Sequence, residues 1–269
     1  MDLLNLDLSA PEWRLLWPQL IVFLLAVVLV FADAFIPKHR SFQILTGISV
    51  VGYLLAMGAL YWQHDRIGQT FQGSFRADGL TVFLSLIILI AAIFSVLTSA
   101  NYLKDYGERV PIGEYYILLA FSVLGALVVS SAGDLITIFV GIELSALATY
   151  VLTGYTKRNA QSVEGALKYF LLGIFASAIL LYGMAWAYGL SGSTGLDNIR
   201  AGIGAAVEGK EWFETSVLLA LLLLIVGLGF KIAAEPFHMR TAGPYEGAPT
   251  PGTAFWCRGL DPFRTIGVG

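Results

Sequence analysis

The stretch Asp134-Leu-Ile-Thr-Ile-Phe-Val-Gly-Ile-Glu143-Leu-Ser-Ala-Leu-Ala-Thr-Tyr150 decides the fold class, because it is a largely apolar run with a single acid near its middle. A helix that spans a bilayer needs about 20 mostly apolar residues. A carboxylate at the bilayer centre costs about 2.5–3.5 kcal/mol on insertion scales, so it usually faces the interior of a helix bundle and has a partner there. The stretch therefore predicts a membrane helix with a partner for Glu143 on a neighbouring helix.

The composition of the whole chain agrees with a membrane protein. Of its 269 residues, 57% are hydrophobic and 13% are charged, whereas soluble domains carry about 25% charged residues. A net charge of −3 gives no electrostatic support for a nucleic-acid partner. One cysteine and three scattered histidines exclude a disulfide framework and make a metal site unexpected.

Seven segments have the length and hydrophobicity of a membrane span, and backbone hydrogen bonding in lipid favours helices for all of them. We therefore predict an all-α polytopic bundle of about seven spanning helices. The polar, Gly-rich connection 191–214 predicts a solvent-exposed link with a short surface helix. The predicted spans are 15–36, 42–62, 79–100, 115–132, 135–154, 165–190 and 215–234.

The N-terminus is expected to be external and retained. With that orientation, the internal loops hold six Lys and Arg residues and the external segments hold five, and positive charge favours the inside. The first residues include Asp2, Asp7 and Glu12, whereas a signal peptide opens with a basic stretch. The first apolar run is therefore interpreted as a helix and not as a cleaved leader.

Lys231 is the second ionisable residue within an apolar segment, at the end of the run Leu218-Leu-Ala-Leu-Leu-Leu-Leu-Ile-Val-Gly-Leu-Gly-Phe-Lys231. It could snorkel to an interface. Alternatively, Pro236 breaks the helix shortly after it, and the polar stretch beyond lines a cavity. A buried lysine whose carboxylate partner moves changes its proton affinity, which is the property that a proton relay requires.

Three further ionisable residues are candidates for proton transfer. Lys168 follows Glu164 by four residues, a spacing that fits a surface salt bridge as well as a relay. His238 could pass a proton near neutral pH or be held in place by a hydrogen bond. Glu235 adds an acid next to Pro236 and is a possible relay residue.

Three motifs together resemble subunit N of the proton-pumping NADH:quinone oxidoreductase, bacterial complex I. They are Phe139-Val-Gly-Ile-Glu143-Leu, Glu164-Gly-Ala-Leu-Lys168-Tyr-Phe-Leu-Leu-Gly-Ile-Phe-Ala-Ser-Ala178, and Phe230-Lys231-Ile-Ala-Ala-Glu-Pro236-Phe-His238-Met followed by Tyr245-Glu-Gly-Ala-Pro-Thr-Pro251. The resemblance covers residues 15 to 255 and implies an antiporter-like membrane domain over 1–255. That domain would be the first half of an inverted-repeat fold, with a broken-helix segment after the seventh span.

The resemblance also implies roles for individual residues. Glu143 would be the acid that pairs with Lys231 as a switching lysine, and Lys168 would be an additional relay residue. The subunit would couple quinone reduction to proton transfer in a bacterial inner membrane, beside other membrane subunits of the complex. NADH, FMN, iron–sulfur clusters and quinone would be bound by other subunits, and this chain is expected to bind no cofactor.

The sequence departs from the family pattern at several positions. Glu235 stands where the family has a small or apolar residue, and Arg240-Thr-Ala-Gly-Pro replaces a stretch that begins with tryptophan. Residues 256–269 look like no membrane helix, so we expect an aberrant tail from a frameshift or a truncated gene.

Two other functions are compatible with the sequence. The chain could be a subunit of an Mrp-type sodium/proton antiporter or of a membrane-bound hydrogenase, which share the Glu–Lys arrangement. It could also be a truncated, purely structural membrane protein whose charges only pair with each other.

Overall fold

The computed structural model describes residues 12–36, 38–63, 67–106, 112–157, 159–207 and 211–234. The predicted residues Glu235, Pro236 and His238 lie outside these ranges, as does the expected tail at 256–269.

The structure is a bundle of long helices, which confirms the predicted fold class. Six spans are long and apolar enough to cross a membrane, and the seventh predicted segment forms a helix whose apolar part, Thr215–Lys231, is shorter. A short helix within the connection 191–214 was also predicted and is present as α7. The helices are α1 (Trp17–Phe35, after a 3-10 turn at Trp13–Leu16), α2 (Lys38–Gln63), α3 (Gly79–Tyr106), α4 (Ile112–Ser130), α5 (Leu135–Thr153), α6 (Ala160–Ser191), α7 (Leu196–Val207) and α8 (Glu211–Lys231).

Polar residues outside the apolar runs set the ends of α5 and α6. The Asp134 carboxylate accepts a hydrogen bond from the Thr137 amide at 2.6 Å, and the Asn159 side chain accepts one from the Gln161 amide at 3.0 Å. Both caps satisfy amides that have no partner within the first helical turn. Gly192, with φ 72°, ends α6 in the left-handed conformation.

Helices α1 to α4 form the main core, and α4 is the most buried of the spans that the structure describes. Glycines bring α4 and α5 close together: a Cβ at Gly125 would lie 2.5 Å from the Ser145 amide nitrogen and 2.6 Å from the Gly141 carbonyl oxygen. A glycine also allows close contact between α6 and α8, where a Cβ at Gly227 would lie 2.7 Å from the Leu180 Cα. Small residues allow such close approach of membrane helices.

A small β-hairpin between α2 and α3 was not predicted. Strand β1 (Gly68–Thr70) pairs antiparallel with β2 (Phe75–Ala77), and three-residue strands are too short to show a periodic pattern. The hairpin is tied to the α4–α5 turn by a hydrogen bond from the Gly133 amide to the Ser74 carbonyl at 2.8 Å. It therefore fastens the end of the bundle at which α5 begins.

We expect Gly125→Ala to lower the free energy of unfolding by about 1–3 kcal/mol, because the added methyl group forces α4 and α5 apart. Gly47→Ala is the matched control, since a Cβ at Gly47 meets nothing within 4 Å. It should be neutral or stabilise by about 0.5–1 kcal/mol, the usual helical gain of alanine over glycine. Thermal unfolding of both variants in detergent checks the pair, and equal unfolding temperatures would refute the close contact.

Asp134 gives a second prediction. Burial alone would raise the pKa of the Asp134 carboxyl, but hydrogen bonds from the Thr137 amide and the Ser74 hydroxyl outweigh it and lower the pKa below its usual 3.8. A depressed folded pKa contributes stability above the unfolded pKa that is lost as the pH falls through the folded value.

Asp134→Ala should therefore destabilise the protein by about 0.5–2 kcal/mol at neutral pH. The deficit should shrink as the pH falls below 3.8. Unfolding temperatures measured from pH 7 to pH 3 test this, and Asp134→Asn, which can still cap, is the control. A deficit independent of pH would contradict the electrostatic account.

Candidate functional site

Glu143 lies deep within the bundle because of its position on α5. It is eight residues after Leu135 and ten before Thr153, or about 12 and 15 Å along the axis from the helix ends. Its side chain is 23% exposed, so protein atoms cover most of it.

Lys231 meets this carboxylate from the end of α8. Its Nζ atom lies 2.7 Å from the Glu143 Oε1 atom, and its side chain is only 5% exposed. Because Glu143 is central on α5, the end of α8 lies at the depth of the middle of the bundle. This position disfavours the alternative in which Lys231 snorkels to an interface.

The backbone after Lys231 explains why α8 ends at that depth. The Ala234 amide bonds to the Gly229 carbonyl at 2.9 Å and the Ala233 amide to the Phe230 carbonyl at 3.3 Å. Ala233 has φ 53°. This is the Schellman pattern of helix termination, with alanine where glycine is usual. We predicted that Pro236 would break the helix; the regular helix ends at Lys231, ahead of that proline.

Ser177 on α6 is a third member of the site. Its Oγ atom donates to Glu143 Oε1 at 2.6 Å and lies 2.9 Å from the Gly173 carbonyl oxygen. Sequence reasoning missed this residue, because nothing in a single sequence shows which face of α6 packs against Glu143. The glycine four residues earlier is the available signal, since it marks where α6 leaves room for a side chain of α5.

The structure does not bring Lys168 to this site. Its Nζ atom lies 2.5 Å from Glu164 Oε1, and the two side chains are 67% and 65% exposed. This is the (i, i+4) pair that the spacing allowed. Lys168 precedes Ser177 by nine residues on α6, or about 13.5 Å of helix.

The electrostatics of the site depend on keeping its two charges together. Removing one partner of a buried ion pair costs about 3–5 kcal/mol, because the other charge remains unpaired. The pair therefore compensates two charges that would each be costly alone inside the bundle.

Comparison with known proteins supports a family assignment. Residues 132–259 match the model of the NADH:quinone oxidoreductase/Mrp antiporter transmembrane family, a region that includes Glu143, Lys168, Ser177 and Lys231. The match reaches four residues into the segment 256–269. NADH-quinone oxidoreductase subunit N 2 of Koribacter versatilis is 36% identical over 249 residues, covering 90% of this chain and 49% of the relative. Subunit N of Desulfovibrio desulfuricans is 40% identical over 241 residues, covering 88% of this chain and 47% of the relative. The chain is homologous to NADH-quinone oxidoreductase subunit N. The resemblance drawn from the three motifs is thereby confirmed.

Solved structures agree on the fold. A chain of respiratory complex I from Thermus thermophilus superposes with a TM-score of 0.70 and 30% identity, covering 90% of this chain and 52% of that one. A chain of the archaeal membrane-bound sulfane sulfur reductase has a TM-score of 0.73 at 21% identity, covering 94% of this chain and 52% of that one, and shows the fold alone. The chain spans about half the length of the curated relatives it matches.

We expect Ala233→Val to lower the free energy of unfolding by about 1–2 kcal/mol, because a β-branched residue tolerates positive φ poorly. Ala233→Gly should be nearly neutral, since glycine adopts this conformation freely but loses a buried methyl group. Ala185→Val, at an exposed helical position, is the control and should cost no more than about 0.7 kcal/mol. Chemical unfolding in detergent measures all three, and equal losses at Ala233 and Ala185 would argue against the Schellman ending.

Proposed function

We propose that this chain is part of a proton-translocating membrane subunit of NADH:quinone oxidoreductase, with Glu143 and Lys231 as its switching pair. The observation that carries the proposal is the 2.7 Å ion pair between Nζ and Oε1 inside the bundle. Its position within the matched family region supports the same role.

The pair would work through two charge states. With protonated Lys231 beside ionised Glu143, the site is neutral and both charges are compensated. When the lysine moves away, the isolated acid gains a proton and the isolated lysine loses one, because each charged form is costly without its partner. Lys231 is suited to move, since it is the last residue of α8 and irregular backbone follows it.

Lys168 is proposed as an additional relay residue, nearer to the start of α6 than Ser177. It has its own carboxylate partner in Glu164, so the two lysines would exchange protons through separate ion pairs. His238 and Glu235 remain proposed relay residues, and Pro236 remains the proposed helix break.

We further propose that the redox chemistry belongs to other subunits and that this chain binds no cofactor. Within the described ranges, no group of three or more His, Cys, Asp or Glu side chains could hold a metal ion. The partners would be the other membrane subunits, lipid and protons. The location would be the bacterial inner membrane with an external N-terminus.

An Mrp-type antiporter or hydrogenase-linked subunit is the second candidate, because the matching family model includes both the oxidoreductase and the antiporter. Proton transfer that depends on quinone reduction favours the first assignment. Proton transfer driven by a sodium gradient without quinone favours the second. A purely structural chain would show neither.

The test replaces Lys231 by alanine or Glu143 by glutamine in the subunit as it occurs in its membrane complex. Each change should lower proton translocation more than tenfold, because a positioned acid or base typically speeds proton transfer by about 10²–10⁴-fold. Proton uptake by membrane vesicles is measured with a pH-sensitive dye during quinone reduction.

Asp197→Asn is the matched control, because it breaks the exposed ion pair with Arg76 outside the membrane spans and such pairs contribute about 1 kcal/mol or less. Assembly of each complex is checked by gel electrophoresis under native conditions. Normal translocation by a fully assembled Lys231→Ala complex would refute the proposal.

A further inference from the structure

Polar atoms of three helices meet at one carboxylate oxygen. Glu143 Oε1 on α5 lies 2.7 Å from Lys231 Nζ on α8 and 2.6 Å from Ser177 Oγ on α6. The serine therefore contacts the same oxygen as the lysine and from a different helix.

The hydroxyl group of Ser177 has one proton and two acceptors. The Gly173 carbonyl, at 2.9 Å, is the usual acceptor for a serine within a helix. The 2.6 Å contact with Glu143 lies in the range of hydrogen bonds from a hydroxyl to an ionised oxygen, which are about twice as strong as neutral ones. While Glu143 is charged, the proton therefore goes to the carboxylate.

Packing between α5 and α6 makes this contact possible. A Cβ at Gly173 would lie 2.0 Å from the Tyr150 hydroxyl oxygen, so the lack of a side chain there leaves room for the Tyr150 ring of α5. Gly173 is one turn before Ser177 on the same face of α6. The glycine therefore lets the Tyr150 side chain pack against the helix face that carries the serine.

We propose that Ser177 is a positioning residue for the switching pair. It orients Glu143 Oε1 toward Lys231 and stabilises the carboxylate during the interval in which the lysine is displaced. When Glu143 becomes protonated, the Ser177 hydroxyl turns its proton to the Gly173 carbonyl, and the Ser177 oxygen accepts a hydrogen bond from the Glu143 carboxyl group. This inference rests on the function proposed above and adds a residue to it.

The experiment compares Ser177→Ala and Ser177→Thr in the assembled membrane complex. Alanine removes a hydrogen bond to a charged group, so proton translocation should fall about tenfold to a hundredfold. Threonine retains a hydroxyl group and the bond to the carbonyl four residues back, and should restore at least half of the rate. Ser49→Ala is the control, because the Ser49 hydroxyl donates the same kind of helical hydrogen bond, to the Leu45 carbonyl in α2. Its loss should leave the rate unchanged.

A spectroscopic readout separates positioning from a general structural effect. Infrared difference spectra identify the Glu143 carboxyl band as the one that disappears in Glu143→Gln. That band should shift in Ser177→Ala and return to its original position in Ser177→Thr.

The outcomes distinguish the two proposals. If Glu143→Gln translocates protons normally, the proposed function fails and this inference fails with it. If Glu143→Gln abolishes translocation while Ser177→Ala changes neither the rate nor the band, only the role of Ser177 is overturned. A slowed Ser177→Ala variant with an unshifted band, or without rescue by threonine, would also overturn it.

Discussion

The ion pair between Lys231 and Glu143 constrains how the described helices can be arranged. A carboxylate in the middle of a membrane helix needs a partner at the same depth, and Lys231 supplies it from the end of α8. That requirement places the end of α8 inside the bundle and not at an interface. It also brings α6 into contact, since Ser177 shares the carboxylate oxygen.

Close helix packing keeps this polar site fixed. Glycines draw α4 against α5 and α6 against α8, so both helices of the ion pair are held by neighbours without bulky side chains between them. At the end of the bundle where α5 begins, the hairpin and the Asp134 cap fasten the start of the helix that carries Glu143. The regular part of α8 ends at Lys231, and the hydrogen bonds of the Schellman turn, with left-handed backbone at Ala233, close the helix there. The site thus combines a firmly held acid with a lysine at the end of a helix.

Homology and geometry support the proposed function in different ways. The relatives show that the chain is similar to subunit N over about half of that subunit's length. The geometry shows that two residues of opposite charge, far apart in the chain, meet inside the bundle. A purely structural pair would have the same distance, which is why the proposed experiments measure translocation in addition to stability.

The sequence by itself determined the membrane class, the approximate spans and the identity of the two central ionisable residues, because hydrophobic length and isolated charges are visible without a partner. It also indicated the short helix in the connection 191–214. Only the tertiary structure decided the β-hairpin, the Schellman ending of α8 and the contact of Ser177 with Glu143. These depend on which helix faces meet and on backbone torsion angles, and a pattern of hydrophobic residues contains neither. The environment of Lys168 was likewise not determined by the sequence, because its spacing from Glu164 fitted both a surface salt bridge and a relay. The fold places it in the exposed pair with Glu164.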